Sequence, residues 1–526
     1  MSDLSINYWQ PEEEFQGLRP GDIVQPLPRS LAQPLLLIIP VLVAATSYFM
    51  GGIPVETDLA FVALTILCIS FLLAELYHFS ERFGIGGLTL YGGVLIWFCY
   101  DYFVHWFGVS MNHWEMAIGK DTVAKSAMYH MIFIVFMSLG LRIRRGLWVP
   151  RLFRRLPNPS DPRVFFWVVL ATQLIGLLPF SIFTSEPFFM AIWHQISSGR
   201  AGGAAWMYGR SGNANYNWGA YIAQLLQVGS VGSIFAAFYA VFLSRNKFES
   251  IVCWFIWALW LSLDFGTGTR GEVVFMVVPV AGFLFIKMHA KAADLMHRFS
   301  LRAYILLTVL LVAALLLVQI QIRFRNEGFN DMSLSSVDFV DVQGNTMFSE
   351  GLRGFSLIPE RHDFFYNKLP LEAIVLPVPN FIFWMSIHPF PRALWWSKPL
   401  DPASPWYNDV AMGGSGENGG RVEGTTTSEG LVGYWFFRFG LAGVLEGGLL
   451  VGWIMATAER VLLNAGGHSL MILASLAMAT WIFRCYRDIS FAEFYESAIG
   501  IVVMAMLVIM LRPFAGDGAP SPEYAQ

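Results

Sequence analysis

Apolar runs the length of a membrane span alternate along this chain with short polar connections. A helix needs about twenty mostly apolar residues to cross a bilayer. On that measure, spans fall near residues 32–50, 59–78, 87–107, 122–141, 164–185, 218–243, 250–265, 272–289, 302–322, 431–458, 468–484 and 493–512. The pattern predicts an all-α, polytopic integral membrane protein with about twelve transmembrane helices. Residues 1–31 form a polar N-terminal tail, 32–322 the first nine spans, 323–430 one large loop, 431–512 the last three spans, and 513–526 a second tail. The run after Gly430 is long and rich in glycine, which predicts a tilted or broken helix.

Charge sets the direction in which these spans are threaded, because Lys and Arg are retained on the cytoplasmic side. Arg142, Arg144, Arg145, Arg151, Arg154, Arg155 and Arg163 form the densest basic cluster, just after the fourth span. Placing that connection in the cytoplasm also places Arg245 with Lys247, and Lys287, Lys291, Arg298 and Arg302, on the same side. Both tails are then cytoplasmic. The loop 323–430 lies outside, in the periplasm of a bacterial inner membrane. It is too long for a simple connector, and short helices at the membrane surface are expected within it. Leu376 to Pro379 and Pro389 to Pro391 read as proline-rich turns.

Composition agrees with a lipid-surrounded chain: 55% of the 526 residues are hydrophobic and 14% charged, against about a quarter charged in soluble domains. The net charge of -4 gives no sign of a nucleic-acid partner. Cys68, Cys99, Cys253 and Cys485 lack zinc-like spacing and read as small apolar core residues. The polar N-terminus carries no cleavable signal, so the first apolar run is itself a span.

Candidate chemistry lies with arginines on the outer side, where positive charge should be scarce. Arg270 sits in a short turn, Gly266, Thr267, Gly268, Thr269, Arg270, Gly271, Glu272. Its glycines admit close backbone approach, its amides open the next helix, and a guanidinium suits phosphate. A turn whose arginine simply pairs with Glu272 or a headgroup is the alternative. Arg323 and Arg325 end the ninth span, on different faces of a helix. Arg484 and Arg487, three apart at the end of the eleventh span, share a face. Arg421 and Glu423 open a stretch with Thr425, Thr426, Thr427, Ser428 and Glu429 that suits a sugar, or that caps the helix after it. Arg438 falls two turns into an apolar run, where a charge usually faces a cavity. His362 and His388 are the histidines of the large loop. His362, beside Asp363, has the form of a general base with an orienting carboxylate.

Several classes are disfavoured. A Walker A motif, a ladder of arginines and a potassium-filter sequence are all missing. Charges within the spans, Glu75, Asp101 and Asp264 among them, are few, which is thin for a proton-coupled transporter.

The Gly-Thr-Arg-Gly turn, the arginines leading into a long outer loop, and the stretch containing Glu429, Gly430, Gly433, Tyr434, Phe439, Gly440 and Gly443 resemble the O-antigen polymerase, or oligosaccharide repeat-unit polymerase, family (Wzy type). The resemblance covers residues 250–500, with the acid differently spaced. It implies a GT-C-like bundle and a metal-independent, cofactor-free, inverting glycosyl transfer at the periplasmic face. The substrates would be undecaprenyl-pyrophosphate-linked oligosaccharides, the product an O-antigen or exopolysaccharide, and a chain-length regulator a possible partner. Arg270, Arg323, Arg325 and Arg487 would hold the pyrophosphate. The general base is left among Glu327, Glu423, Glu429 and His362. An O-antigen ligase would share the architecture. A flippase of lipid-linked sugars predicts inverted repeats, and a membrane acyltransferase would use a histidine near a span, such as His78, His105 or His130.

Overall fold

The structure is a computed structural model. It describes residues 57–77, 85–99, 120–143, 148–156, 162–182, 186–197, 218–244, 246–266, 273, 275–281, 283–284, 376–388, 390, 395, 397–399, 430–465, 468–486, 489, 491–511 and 513. Among these residues the only regular structure is helix. The helices are α1 (Thr57–Tyr77), α2 (Ile85–Val94, continued by a π turn at Leu95–Cys99), α3 (Lys120–Gly140), α4 (Trp148–Phe153), α5 (Pro162–Ile182) and α6 (Phe188–Ser197). After these come α7 (Trp218–Phe238, continued by a π turn at Tyr239–Leu243), α8 (Lys247–Gly266), α9 (Pro377–Ile387), α10 (Gly430–Leu463), α11 (Ser469–Cys485) and α12 (Phe491–Leu511).

Four stretches are long and apolar enough to cross a bilayer: Pro162–Ile182, Leu225–Leu243, Lys247–Gly266 and Gly430–Leu463. Shorter apolar helices include Ala124–Gly140, Ser469–Cys485 and Ala498–Leu511. The protein is therefore helical and membrane-embedded. Of the expected spans, 32–50 and 302–322 lie outside the described residues. α4 and α6 were not foreseen as helices, whereas α9 is a short helix within the loop where such helices were expected. Leu376 to Pro379 is not a turn but the start of α9, with Pro377 in its first turn, where a fixed φ suits the helix and no N–H is needed.

Two apolar cores form. The first is built from α1, α2, α3, α9, α10 from Leu431 to Ala456, and the end of α11. The second is built from α4–α8, residues 275–283, the start of α11 and α12. α10 and α11 run antiparallel and belong to both, with Ser475 Oγ donating to Ala458 O at 2.7 Å. α3 and α10 approach closely because glycine removes the side chain at the crossing. A Cβ on Gly448 would lie 2.7 Å from Phe133 O, and Gly452 faces Met137 O. Small residues at such crossings let dispersion and weak contacts act between backbones.

α10 is not straight. Gly440 has φ 60° and ψ -148°, a region essentially reserved for glycine. The chain reverses there. Gly443 lies against Trp435 O, and Gly447 lies against the Trp435 ring. In a continuous helix residues 435 and 447 would be about 18 Å apart along the axis. Residues 430–439 therefore fold back over the start of 441–463 as a helical elbow. Their side chains are buried all round, as an apolar helix enclosed by protein requires.

The connections at one end of the bundle hold together. Arg460 Nη2 donates to Ile143 O, Arg154 Nη2 to Asn464 O at 3.2 Å, and His468 Nε2 to Leu156 O at 3.0 Å. This end carries the arginine cluster. The elbow and the C-terminus of α11 lie at the other.

Candidate functional site

At that second end the elbow meets the C-terminus of α11. Leu431 N–H donates to Tyr486 O at 3.3 Å. Tyr486 is buried, and its hydroxyl donates to Leu90 O at 2.7 Å. α11 therefore ends inside the protein, and the residues around its terminus are drawn inward with it.

Two of the predicted arginines are described, and both are buried here. Arg438 is 3% exposed. Its guanidinium lies 3.7 Å from the centre of the Tyr434 ring, and Nη1 donates to Tyr434 O at 3.4 Å. The elbow brings this cation into the interior two residues before the reversal. Arg484 is 6% exposed, and its guanidinium stands 5.7 Å from the Phe275 ring. Cation–π contacts of this kind hold a guanidinium without neutralising it. Phe275 follows the Gly-Thr-Arg-Gly turn by four residues. Arg484 is thereby joined to the helix that the turn opens. Phe275 also lines an apolar crevice with Val231, Phe235, Pro279, Leu473 and Leu476.

A further buried polar group lies at the end of α8 and carries no sequence signal. Gln195 of α6 is 4% exposed, and its Oε1 has no hydrogen-bond partner among the described residues. Gly266, the first glycine of the turn, packs against the Gln195 carbonyl, and a Cβ there would also lie 3.0 Å from the Ile196 Cα. α6 thus braces the end of α8 from which the turn departs. Arg484 on Phe275 thus sets a retained positive charge next to one residue of an apolar crevice.

Arg270, Arg323, Arg325, Arg421, Arg487, Glu327, Glu423, Glu429 and His362 lie outside the described residues. His388 closes α9 and is not a free base. Its ring stacks on Tyr495 at 6.1 Å and 8°, and burial, then the Lys398 charge, holds its pKa below the usual imidazole value. Asp264 accepts from Ser230 Oγ at 3.1 Å. The four cysteines are buried and unbridged. Among the described residues, groups of three or more His, Cys, Asp or Glu able to hold a metal ion are absent.

Buried charge also occurs at the basic end, and sequence reasoning passed over most of it. Glu459 and Arg460 are buried near the end of α10, and Glu75 near the end of α1. Gly86 and Gly87 make room for Glu459 and Glu75 respectively. The signal available was an ionic pair, Glu459 and Arg460, interrupting an otherwise apolar run. No protein family, characterised protein or solved structure is detectably similar to this chain.

Proposed function

We propose that the protein is a glycosyltransferase of the bacterial inner membrane that polymerises undecaprenyl-pyrophosphate-linked oligosaccharide repeat units at the periplasmic face. In this reading the chain has twelve spans, both termini are cytoplasmic, and the loop 323–430 covers the site. The observation that carries it is Arg484 stacked on Phe275, which couples one outer arginine pair to the helix opened by the Arg270 turn. Arg438, buried at the elbow, adds a second interior cation on the same side. An interior arginine is costly in a membrane and marks a ligand path.

The reaction forms one bond and breaks one. An acceptor hydroxyl oxygen attacks the anomeric carbon of the donor, and the carbon–oxygen bond to pyrophosphate breaks with inversion. The hydroxyl proton passes to a carboxylate or imidazole, with Glu327, Glu423, Glu429 and His362 as the candidates. The charge that grows on the leaving pyrophosphate is met by arginine donors in a low-dielectric site, where they act most strongly. The crevice beside Phe275 suits the hydrocarbon tail.

The test is the glycan profile of a strain carrying Arg484→Ala. Single repeat units on the cell surface in place of long chains are expected, with Arg484→Lys restoring only part of the length. Normal long chains from Arg484→Ala would sink the proposal. Full-length polymer left unattached would instead indicate a ligase.

A further inference from the structure

The arginine cluster at the basic end contains an arc of positive charge, without an ion pair among the described residues, that the proposed reaction does not use. α4 and the turn that extends it, residues 148–156, present two distinct faces. On a helical wheel, at 100° per residue, Val149, Phe153 and Pro150 fall on one arc. Val149 and Pro150 are buried and Phe153 half-buried. The opposite arc runs Arg154, Arg151, Arg155, Leu152, and all four are exposed, Leu152 at 52%. The backbone stays helical to Leu156, since Arg154 N–H donates to Pro150 O and Arg155 N–H to Leu152 O, each at 3.0 Å.

Three guanidiniums therefore share one side within a single turn, where like charges repel. Acidic residues are missing from the sequence between Leu141 and Ser160. Arg154 spends one N–H on Asn464 O. Arg151 and Arg155 make no ion pair or hydrogen bond among the described residues. The face is anchored from behind: Arg154 and Leu156 are tied to the α10–α11 connection through Asn464 and His468. It also lies between the end of α3 and the start of α5, which is headgroup depth if these helices cross the bilayer.

We infer that the Arg151, Arg154 and Arg155 face of α4 binds the headgroup of an anionic phospholipid. The phosphodiester spans the two free guanidiniums, which match phosphate geometry with paired N–H donors. Leu152, at the edge of the arc, lies along the acyl chains. A basic segment at the membrane surface gains attraction from each cation near anionic lipid, and the rigid backing by α10 and α11 keeps these cations in place. The inference is independent of the glycosyl-transfer proposal.

The test uses the full-length protein in nanodiscs of phosphatidylcholine with graded phosphatidylglycerol, read by lipid retention in native mass spectrometry and by thermal unfolding. The wild type is expected to retain phosphatidylglycerol about tenfold better than phosphatidylcholine and to melt higher as its fraction rises. Arg151→Gln with Arg155→Gln should bring the preference to within about threefold, and Arg151→Lys with Arg155→Lys should keep most of it, since charge is retained. An equal thermal shift from inorganic phosphate in pure phosphatidylcholine would replace the lipid with a soluble anion and overturn the inference. A wild type without preference, or a glutamine pair with the preference intact, would overturn it too. If the glutamine pair does not fold, the lysine pair and the wild-type comparison with phosphate still decide the matter.

Discussion

The two cores differ in the charge of the polar side chains they bury. In the second, the buried polar side chains of α5, α7 and α8 are neutral and satisfy one another. Gln173 Nε2 donates to Thr172 Oγ1 at 3.3 Å and Gly229 O at 3.4 Å, and Trp260 Nε1 donates to Gln173 Oε1. Thr172 and Ser233 each donate to a backbone carbonyl three residues earlier, at 2.6 Å. The first core buries Glu75, Arg438, Glu459 and Arg460. Neutral pairs cost little inside a membrane protein, whereas ionic groups are tolerated where a cavity, a partner or a function holds them. On this comparison we read the second core as scaffold and the first, which buries the ionic side chains, as the candidate working part. Arg484 stands where they meet, carried by α11 and resting on Phe275 of the second core.

The comparison can be broken in four ways. The largest effect is expected at the elbow. Gly447→Val places side-chain atoms inside the Trp435 ring and should destabilise the protein by about 3 kcal/mol. Thermal unfolding of the purified protein measures this, and an unchanged melting temperature would mean that the elbow is not held by that contact. Next, Arg438→Met should lower polymer formation at least about a hundredfold while the folded yield stays near wild type. Loss of folded protein in proportion to loss of product would make Arg438 structural. In the second core the order reverses: Gln173→Met should lower stability by about 1–2 kcal/mol and leave the product distribution unchanged. A shortened polymer at wild-type stability would end its reading as scaffold.

The smallest effect concerns pH. His468 Nδ1 accepts from Met471 N–H at 3.4 Å, and Nε2 donates to Leu156 O at 3.0 Å, an arrangement open only to the neutral ring. Burial, the largest influence, holds its pKa below the usual value. A depressed histidine binds protons more readily when unfolded, so its contribution is complete above about pH 6.5 and is lost as pH falls through the folded value. Melting temperatures should fall between pH 7.5 and 5, reflecting a loss of about 1 kcal/mol of cap energy. His468→Asn, which caps without titrating, should flatten that part of the slope. A slope unchanged in His468→Asn would exonerate the residue.

Helix positions were legible because lipid imposes a one-dimensional rule: twenty apolar residues in a row stand out whatever they later touch. The same rule exposed Arg438, a charge in an apolar run, and hinted at the break after Gly430. It could not locate the break. Six glycines occur between residues 430 and 448, and only the fold-back of Trp435 onto Gly447 selects Gly440 as the hinge. Gln195 was invisible because an amide in an amphipathic helix looks like any surface residue until the end of α8 packs on its backbone. α4 was hidden for a different reason. Its residues read as a basic connection, and six residues are too few for periodicity to register.

The elbow also bears on how this chain is made. Drawn out as one helix, Gly430–Leu463 would measure about 51 Å, against a hydrocarbon layer of about 30 Å. Residues 441–463 alone come to about 34 Å and suffice to cross. The leading ten residues are surplus, apolar, and without a place in lipid unless they turn. The contacts that turn them lie eight to twelve residues away on the same helix. The surplus is thus stowed partly by its own helix, with Phe381 of α9 on Trp435 and Leu431 on Tyr486 completing the hold. The bend serves as a length correction built into the chain, leaving a segment that fits the hydrocarbon layer.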